Sequence, residues 1–215
     1  MSNIKTHIIL IAFTLIQLAL GVYLYPYFPD MVATHWNTEG VVDGYMSKFW
    51  GIFMVSIIMV VFYVLYVLIP RIDPRAQNIA EFRKNFNLFW VVLFIFLFYL
   101  SALSNIWNLG VRFDFTRAIV PAVGMMFYFI GNLMLSTKRN SFIGIRTPWT
   151  LASDVVWDKT HKLAGGLFKL SGILTLGAGL ISGPFAFATL ISCVVLSVGI
   201  SLVYSYKVFK KLAQP

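Results

Sequence analysis

The sequence predicts an all-α fold, a polytopic membrane bundle of six transmembrane helices with interfacial helices on the inner side of the membrane. Hydrophobic residues make up 59% of the 215 residues and charged residues only 12%, about half the charged share of an average soluble protein. Six apolar runs are separated by more polar loops, and lysines and arginines are concentrated in alternate loops. A soluble fold of this length could not hide so much apolar surface, so the predicted solvent is a bilayer.

Each apolar run is close to the length of about 20 residues that crosses a hydrocarbon core as a helix. The first run is longer than the roughly 7–15 apolar residues of a signal peptide, so we expect it to be retained. The turn dipeptide Gly183-Pro184 separates the last two runs and predicts a tight connection between antiparallel helices. In chain order the predicted spans are 8–25, 49–69, 88–107, 118–135, 163–182 and 185–206.

The basic residues predict how these spans are oriented. With the N-terminus inside, 14 of the 17 lysines and arginines lie in inner segments and 3 in outer segments. Because positive charge in short loops marks the cytoplasmic side, the sequence predicts a multi-pass protein of the cell membrane with both termini in the cytoplasm. The same bias explains the net charge of +9. Membrane lipids are therefore the expected partners of the basic loops, and we expect no direct binding to nucleic acid.

The outer loop 26–48 combines turn residues with a histidine and a tryptophan. Its glycines follow acidic residues, which is typical of turns, and we expect a compact loop that caps the outer mouth of the bundle. His35 lies near several carboxylates, but no spacing of metal ligands recurs, so we expect no metal and no cofactor. Instead, we expect His35 in a hydrogen bond and Trp36 at the membrane interface. The candidate outer residues are Pro29, His35, Trp36, Gly40, Asp43 and Gly44.

The first inner loop predicts an interfacial helix that leads into the third span. Asp73 is a good helix N-cap, and Pro74 suits the first helical position. Ile79, Phe82 and Phe86 then fall on one helical face. We expect this face to lie against the underside of the bilayer.

The second inner loop, 136–163, predicts a helix that continues into the fifth span. Ser153 can cap this helix, and Asp154 in its first turn favours the positive end of the helix dipole. Trp157 and His161 share one helical face with apolar side chains. We therefore expect both rings to point to the membrane or the bundle interior, while the lysines of the same segment face water.

No arrangement in this inner loop indicates catalysis. Asp154 and Asp158 project away from the face of His161, and no Ser, Cys or second His stands at the spacing of a triad or a metal site. We therefore expect no catalytic residue and no enzymatic activity. Arg146 has two interpretations, a guanidinium that binds a carboxylate or phosphate or an interfacial anchor to anionic lipid.

Two amide side chains, Gln17 and Asn132, lie within predicted spans. Buried amides commonly hydrogen-bond neighbouring helices to each other. The alternative is that both amides line a polar cavity inside the bundle. The sequence leaves this choice open.

The two main loops carry a resemblance to a known family. The segment NSFIGIRTPWTL at 140–151, followed by VWDKTHKLAGG at 156–166, resembles the SdpI-type immunity protein family of bacteria. The outer pattern resembles the small uncharacterised N-terminal module that is often joined to this family, with one departure at Ala33, where the module usually has proline. The resemblance implies an N-terminal two-span module at 1–70 and an SdpI-like four-span region at 71–215.

What the resemblance implies is immunity to a secreted, membrane-active peptide toxin, together with an autorepressor held at the cytoplasmic face. An alternative is a transporter-like protein that binds a small molecule or lipid. A membrane-embedded enzyme is less favoured because the sequence offers no nucleophile or metal set. The candidate inner residues are Asn140, Gly144, Ile145, Arg146, Thr147, Pro148, Trp149, Thr150, Trp157 and His161.

Overall fold

The computed structural model describes residues 2–181 and 183–212, and within them eight α-helices and one two-stranded sheet. The helices are α1 (Asn3–Leu24), α2 (Lys48–Ile72), α3 (Ala76–Glu81), α4 (Arg83–Asn108), α5 (Phe115–Ser136), α6 (Pro148–Ala152), α7 (Asp154–Gly179) and α8 (Gly183–Leu212). The strands are β1 (Met31–Trp36) and β2 (Val42–Ser47), and a short 3-10 helix, Tyr25–Tyr27, follows α1. The predicted helical bundle is confirmed, with a small sheet that the prediction lacked.

Five helical segments in the described ranges are long and apolar enough to cross a membrane. They are α1 with its 3-10 extension, α2, α4, α5 and α8. The remaining predicted span, the fifth in chain order, corresponds to α7, which is less apolar and carries charged residues in its first turns and Lys169 further along. As predicted, α7 runs without a break from the inner loop into the 163–182 segment. The last residue of that segment, Ser182, lies outside the described residues.

The bundle has two halves that meet where α4 packs against α5. In the first half α1 packs against α2 and α4 around an aromatic core that includes Tyr66, Phe86, Trp90 and Phe94. In the second half α7 packs between α5 and α8. Following the predicted orientation, we call the end of the bundle that carries the sheet the outer end and the end that carries residues 137–153 the inner end.

Helices α5 and α7 approach each other closely through glycines. A Cβ atom placed on Gly131 would lie 2.7 Å from the carbonyl oxygen of Gly165 and 2.8 Å from the backbone nitrogen of Lys169. Further along the same contact, a Cβ on Gly172 would lie 2.5 Å from the carbonyl oxygen of Gly124. Between membrane helices, lipid gives no hydrophobic driving force, so this backbone-to-backbone packing is what stabilises the pair.

The outer loop is a β-hairpin rather than an irregular cap. Strands β1 and β2 pair in antiparallel fashion, with irregular register around His35. The Asn37 side chain closes the turn, because its Oδ1 accepts the backbone N–H groups of Glu39 and Val41 at 3.0 Å each. Gly40 has a φ of +77°, a conformation that glycine adopts without strain.

The first inner loop differs from its prediction in two respects. Helix α3 begins at Ala76 rather than at Pro74, and the turn before it is held by the Asp73 carboxylate. It accepts the backbone N–H of Arg75 at 2.7 Å and, across the fold, that of Ser141 at 2.8 Å. The predicted apolar face of this segment is buried in the aromatic core of the first half, so it does not lie on the bilayer surface.

The α5–α7 contact predicts that alanine destabilises the protein at a glycine inside the contact but not at a helical glycine outside it. Gly131→Ala should lower the free energy of unfolding by about 1–3 kcal/mol, because its Cβ would meet backbone atoms that cannot rotate away. Gly166→Ala is the matched control, since a Cβ there meets nothing within 4 Å and alanine favours a helix. Thermal unfolding of the detergent-solubilised protein measures both, and equal midpoints for the two variants would contradict this packing.

Candidate functional site

The inner segment 140–151, which we call the inner motif, is folded around the side chain of Asn140, which is fully buried. Its Oδ1 accepts the backbone N–H groups of Phe142 at 2.9 Å and Ile143 at 2.7 Å. Its Nδ2 donates to the carbonyl oxygens of Lys138 and Ile143, both at 2.9 Å. One amide thus satisfies four backbone groups of a loop that has no regular structure, which explains why the position suits asparagine.

His161 holds the next part of the motif. Its Nε2 accepts the backbone N–H of Ile145 at 2.9 Å, and its Nδ1 lies 2.8 Å from the carbonyl oxygen of Trp157. A backbone N–H can only donate and a carbonyl can only accept, so the ring is neutral with its proton on Nδ1. Gly144, with a φ of +114°, leaves the space that the ring needs, because a Cβ there would collide with it.

The surroundings of His161 favour this neutral form. The ring stacks on Trp157 with centroids 4.0 Å apart, and the Trp157 indole N–H donates to the Thr137 carbonyl oxygen at 2.9 Å. His161 comes before the predicted span 163–182 and so lies outside the membrane-spanning segment. Burial lowers the pKa of its imidazole below the ordinary value, opposed in part by the Trp157 carbonyl and by Asp158.

Thr147, Pro148 and Thr150 begin the short helix α6. The hydroxyl of Thr150 accepts the Thr147 backbone N–H at 2.8 Å, and the Thr147 hydroxyl accepts that of Thr150 at 3.2 Å. This reciprocal capping box leaves Pro148 at the first helical position, where no N–H is needed. The Thr150 hydroxyl also donates to the Ile145 carbonyl oxygen at 2.8 Å, so the helix start and the loop before it form one unit.

Trp149 ties this unit to the end of α8. Its indole N–H donates to the Ser205 hydroxyl at 2.6 Å, and its ring meets that of Tyr206 edge-on. The motif residues are therefore gathered into one folded surface, which we call the inner cap and define as residues 137–153 with the first turns of α7. Most of its polar atoms hold the cap together.

Arg146 is the exception, because its guanidinium lies on the exposed side of the inner cap. One of its nitrogens, Nη1, donates to the Ser141 carbonyl oxygen at 2.5 Å. A guanidinium has five N–H donors arranged in a planar fork. The geometry is therefore able to bind a carboxylate or a phosphate.

Next to the inner cap lies a polar cleft of about 480 Å³ between α3 and the start of α7. The Arg139 Nε forms an ion pair with Asp154 at 2.8 Å, and the Asn78 amide donates to the Arg139 carbonyl oxygen at 2.6 Å. Sequence reasoning did not select Arg139, Asn78 or Asp73 as site residues. Their partners lie on other segments of the chain, so no local pattern points to them.

On the outer end, His35 and Asp43 face each other across the hairpin. The His35 Nδ1 and the Asp43 Oδ1 are 2.5 Å apart, and both side chains are exposed. Gly44 lies opposite His35 in the strand register, and a Cβ there would stand 2.8 Å from the His35 Cβ. The predicted hydrogen bond of His35 is present, and its partner is a carboxylate.

Trp36 packs onto the helices below the hairpin. Its ring stacks on Phe115 with centroids 3.6 Å apart and meets Trp107 edge-on at 5.5 Å. Pro29 lies between the 3-10 helix and β1, where it is exposed. Sequence reasoning selected Trp36 but offered no reason to expect its partners, which lie at the end of α4 and the start of α5.

The hairpin is also fastened through Ala33, the position that departs from the family pattern. The Ala33 N–H donates to Asn108 Oδ1, and the Asn108 Nδ2 donates to the Ala33 carbonyl oxygen, both at 2.9 Å. Proline has no N–H and could make only the second of these bonds. Alanine at this position therefore allows an amide clamp on β1.

The two intramembrane amides are not brought to one site. Gln17 is buried on α1 and donates to the Ser101 hydroxyl of α4 at 2.6 Å, as expected of an amide that joins helices. Asn132 lies on α5, whose main neighbours are α4, α7 and α8. In the described part of the chain, no group of three or more metal-binding side chains is found.

Comparisons with known proteins identify both segments that carry the motifs. Residues 12–60 match a domain of unknown function (DUF1648), and residues 136–205 match the SdpI/YfhL protein family. The chain is 26% identical to the immunity protein SdpI of Bacillus subtilis (strain 168) over 208 residues, which cover 97% of this chain and 98% of that protein. No solved structure matches. The resemblance to SdpI-type proteins is confirmed, and with the apolar helices it supports a protein of the cell membrane.

The neutral state of His161 predicts how stability depends on pH. Since the pKa of His161 is lower in the folded protein, the unfolded state binds the proton more readily, and stability falls as pH drops below about 6.5. His161→Phe should lower the free energy of unfolding at neutral pH by about 1–3 kcal/mol, because the Ile145 N–H loses its acceptor. Its stability should also change less with pH.

Unfolding midpoints measured from about pH 8 to about pH 5 test both expectations. His35→Phe serves as the control, because His35 is an exposed histidine at the opposite end of the bundle. If His161→Phe keeps the full pH dependence of the wild type, His161 does not hold the inner cap in the neutral form.

Proposed function

We propose that this chain is a membrane immunity protein that protects the cell from a secreted, membrane-active peptide toxin. It resembles the immunity protein SdpI along nearly its whole length. The observation that carries the proposal is the 26% identity over 97% of the chain. That similarity includes the hairpin and the inner cap together. A protein that shared only the apolar spans would carry no such implication.

The two ends of the bundle suit different partners. A toxin that arrives from outside meets the hairpin or the lipid-facing helices first. A cytoplasmic protein can meet only the inner cap and the basic loops beside it. We propose that both termini are cytoplasmic and that the inner cap, with the exposed Arg146, is the surface that holds a transcriptional repressor at the membrane.

A non-enzymatic role is supported by the state of His161. Both ring nitrogens are occupied by backbone groups, so the ring has no free position from which to exchange a proton with a substrate. The hydroxyls of Thr147 and Thr150 are likewise engaged with each other and with the backbone. The inner cap is therefore better suited to binding than to catalysis.

Protection in cells tests the proposal. A strain sensitive to a membrane-active peptide toxin is made to express the protein, and survival and membrane potential are recorded after the toxin is added. Wild type should preserve both. If immunity also requires the inner cap to bind its cytoplasmic partner, Arg146→Ala should raise toxin sensitivity by about tenfold, because about 1.4 kcal/mol of lost binding is a factor of ten in affinity.

The matched control is Lys159→Ala, which removes the same charge from an exposed inner position on α7. If Lys159→Ala is as sensitive as Arg146→Ala, the general positive charge of the inner cap and not the Arg146 guanidinium is responsible. If the wild type, present in the membrane at the same level, gives no protection, the immunity proposal is wrong for this toxin class. Amounts in the membrane are compared by immunoblotting in every case.

A further inference from the structure

A cavity of about 670 Å³ opens below the hairpin at the outer end of the bundle. Its walls come from α2, α4, α5 and α8 and are largely apolar, with Met54, Leu100, Val123 and Leu190 among them. The volume lies in the range of about 300–1,000 Å³ that is typical of ligand sites. It is large enough for a group of apolar side chains and too small for a whole helix.

The cavity lies where the two matched segments of the chain meet. The hairpin and Met54 of α2 belong to residues 12–60, whereas Leu190 of α8 belongs to residues 136–205. The remaining walls come from α4 and α5, which lie between the two matched segments. Ligand sites are common where separate units of a chain meet.

The rim of the cavity is polar and the hairpin above it is acidic. His35 and Asp43 line the mouth. Residues 26–47 contain Asp30, Glu39 and Asp43 but no lysine or arginine. Among the residues that the structure describes, neither Asp30 nor Glu39 forms an ion pair, and both are exposed. The hairpin therefore offers uncompensated negative charge at the entrance to an apolar space.

The basic side chains of the outer end are already engaged. Lys48 and Arg112 lie over aromatic rings. Arg117 pairs with Asp114 at 3.2 Å. Among the described residues, none of these three forms an ion pair with Asp30, Glu39 or Asp43, so a positively charged occupant would complement the hairpin.

One wall also holds a hydrogen-bond donor without a partner. The indole N–H of Trp36 is buried and has no acceptor among the described residues. Trp36 lines the cavity beside Phe115. A buried donor without an acceptor costs free energy. Its nitrogen has almost no accessible surface, so a carbonyl oxygen such as that of a peptide backbone would satisfy it only if the ring turns toward the cavity.

We propose that this outer cavity binds the apolar side chains of a cationic, membrane-active peptide, whose basic residues lie against the acidic hairpin. The assignment rests on the proposed immunity function and names the site at which the toxin is met. An apolar space, an acidic rim and an unused donor suit a basic amphipathic peptide better than an uncharged lipid tail. A lipid tail has no positive charge to interact with the acidic rim.

Binding of a defined probe tests the site. The full-length protein in phosphatidylcholine nanodiscs is titrated with a fluorescent amphipathic peptide of leucine and lysine, with empty nanodiscs as the reference. Leu190→Trp fills the cavity and should weaken binding by about tenfold. The matched control is Ile191→Trp, the adjacent residue on α8, which is 47% exposed on the helix surface and should bind as the wild type does.

Two outcomes would overturn the proposal. Equal binding by the Leu190→Trp and Ile191→Trp proteins would show that the cavity is not used. Equal binding of a peptide with glutamate in place of lysine would show that the acidic hairpin does not select a cation. The proposal itself predicts that the double variant Asp30→Asn, Glu39→Gln binds the lysine peptide more weakly. The affinity of this variant for the peptide should also depend less on salt concentration.

A second measurement needs no variant and covers the case in which Leu190→Trp fails to fold. A lysine peptide that carries a photoreactive leucine is cross-linked to the wild-type protein, and the attachment points are mapped by mass spectrometry. Attachment at Leu100, Val123 or Leu190 supports the cavity, whereas attachment only on lipid-facing positions such as Ile191 overturns it.

If the peptide binds here but cells gain no protection, the site stands and the immunity proposal fails. If cells that express the Leu190→Trp protein are still protected, the immunity proposal stands and the cavity is not the site.

Discussion

The close contact between α5 and α7 is the interaction on which both candidate surfaces depend. Gly131 and Gly165 bring the two backbones together, and each helix carries part of a surface at its ends. Helix α5 begins at Phe115, which supports Trp36 at the outer end, and its last turn leads into the inner cap. Helix α7 supplies Trp157 and His161 to that cap. A shift of one helix along the other would therefore alter the outer and the inner end together, which gives the bundle a physical route between its two faces.

Outside the helices, the dominant constraint is that irregular backbone at a membrane needs hydrogen-bond partners. Asn140 and His161 supply them in the inner cap, and Asn37 and Asn108 do so in the hairpin. Many residues that make these loops recognisable therefore serve the fold. Side chains with unused capacity, chiefly the guanidinium of Arg146 and the indole N–H of Trp36, are the ones left for partners.

The parts of the fold that follow from local pattern could be predicted from the sequence. Apolar runs predicted the long helices, and five of those described are apolar enough to cross a membrane. Helical periodicity with the Ser153 cap predicted a continuous α7 with Trp157 and His161 on its buried face. The hairpin was not predicted, because its strands are short and are fastened by Asn108, which is distant in the chain. Asp73 was assigned a local capping role, yet its second oxygen serves a loop from the other half. Long-range hydrogen bonds of this kind leave no periodic signal in a single sequence.

We propose that the hairpin and the inner cap lie on opposite sides of the membrane. Cys193 is the single cysteine of the chain, so Cys193→Ser provides a background in which one new cysteine reports its own side. With a membrane-impermeant maleimide on intact cells, Glu39→Cys in the hairpin turn should be labelled at once. Lys159→Cys in the inner cap should be labelled only after the membrane is permeabilised. Labelling of both positions in intact cells, or of Lys159→Cys alone, would contradict the account.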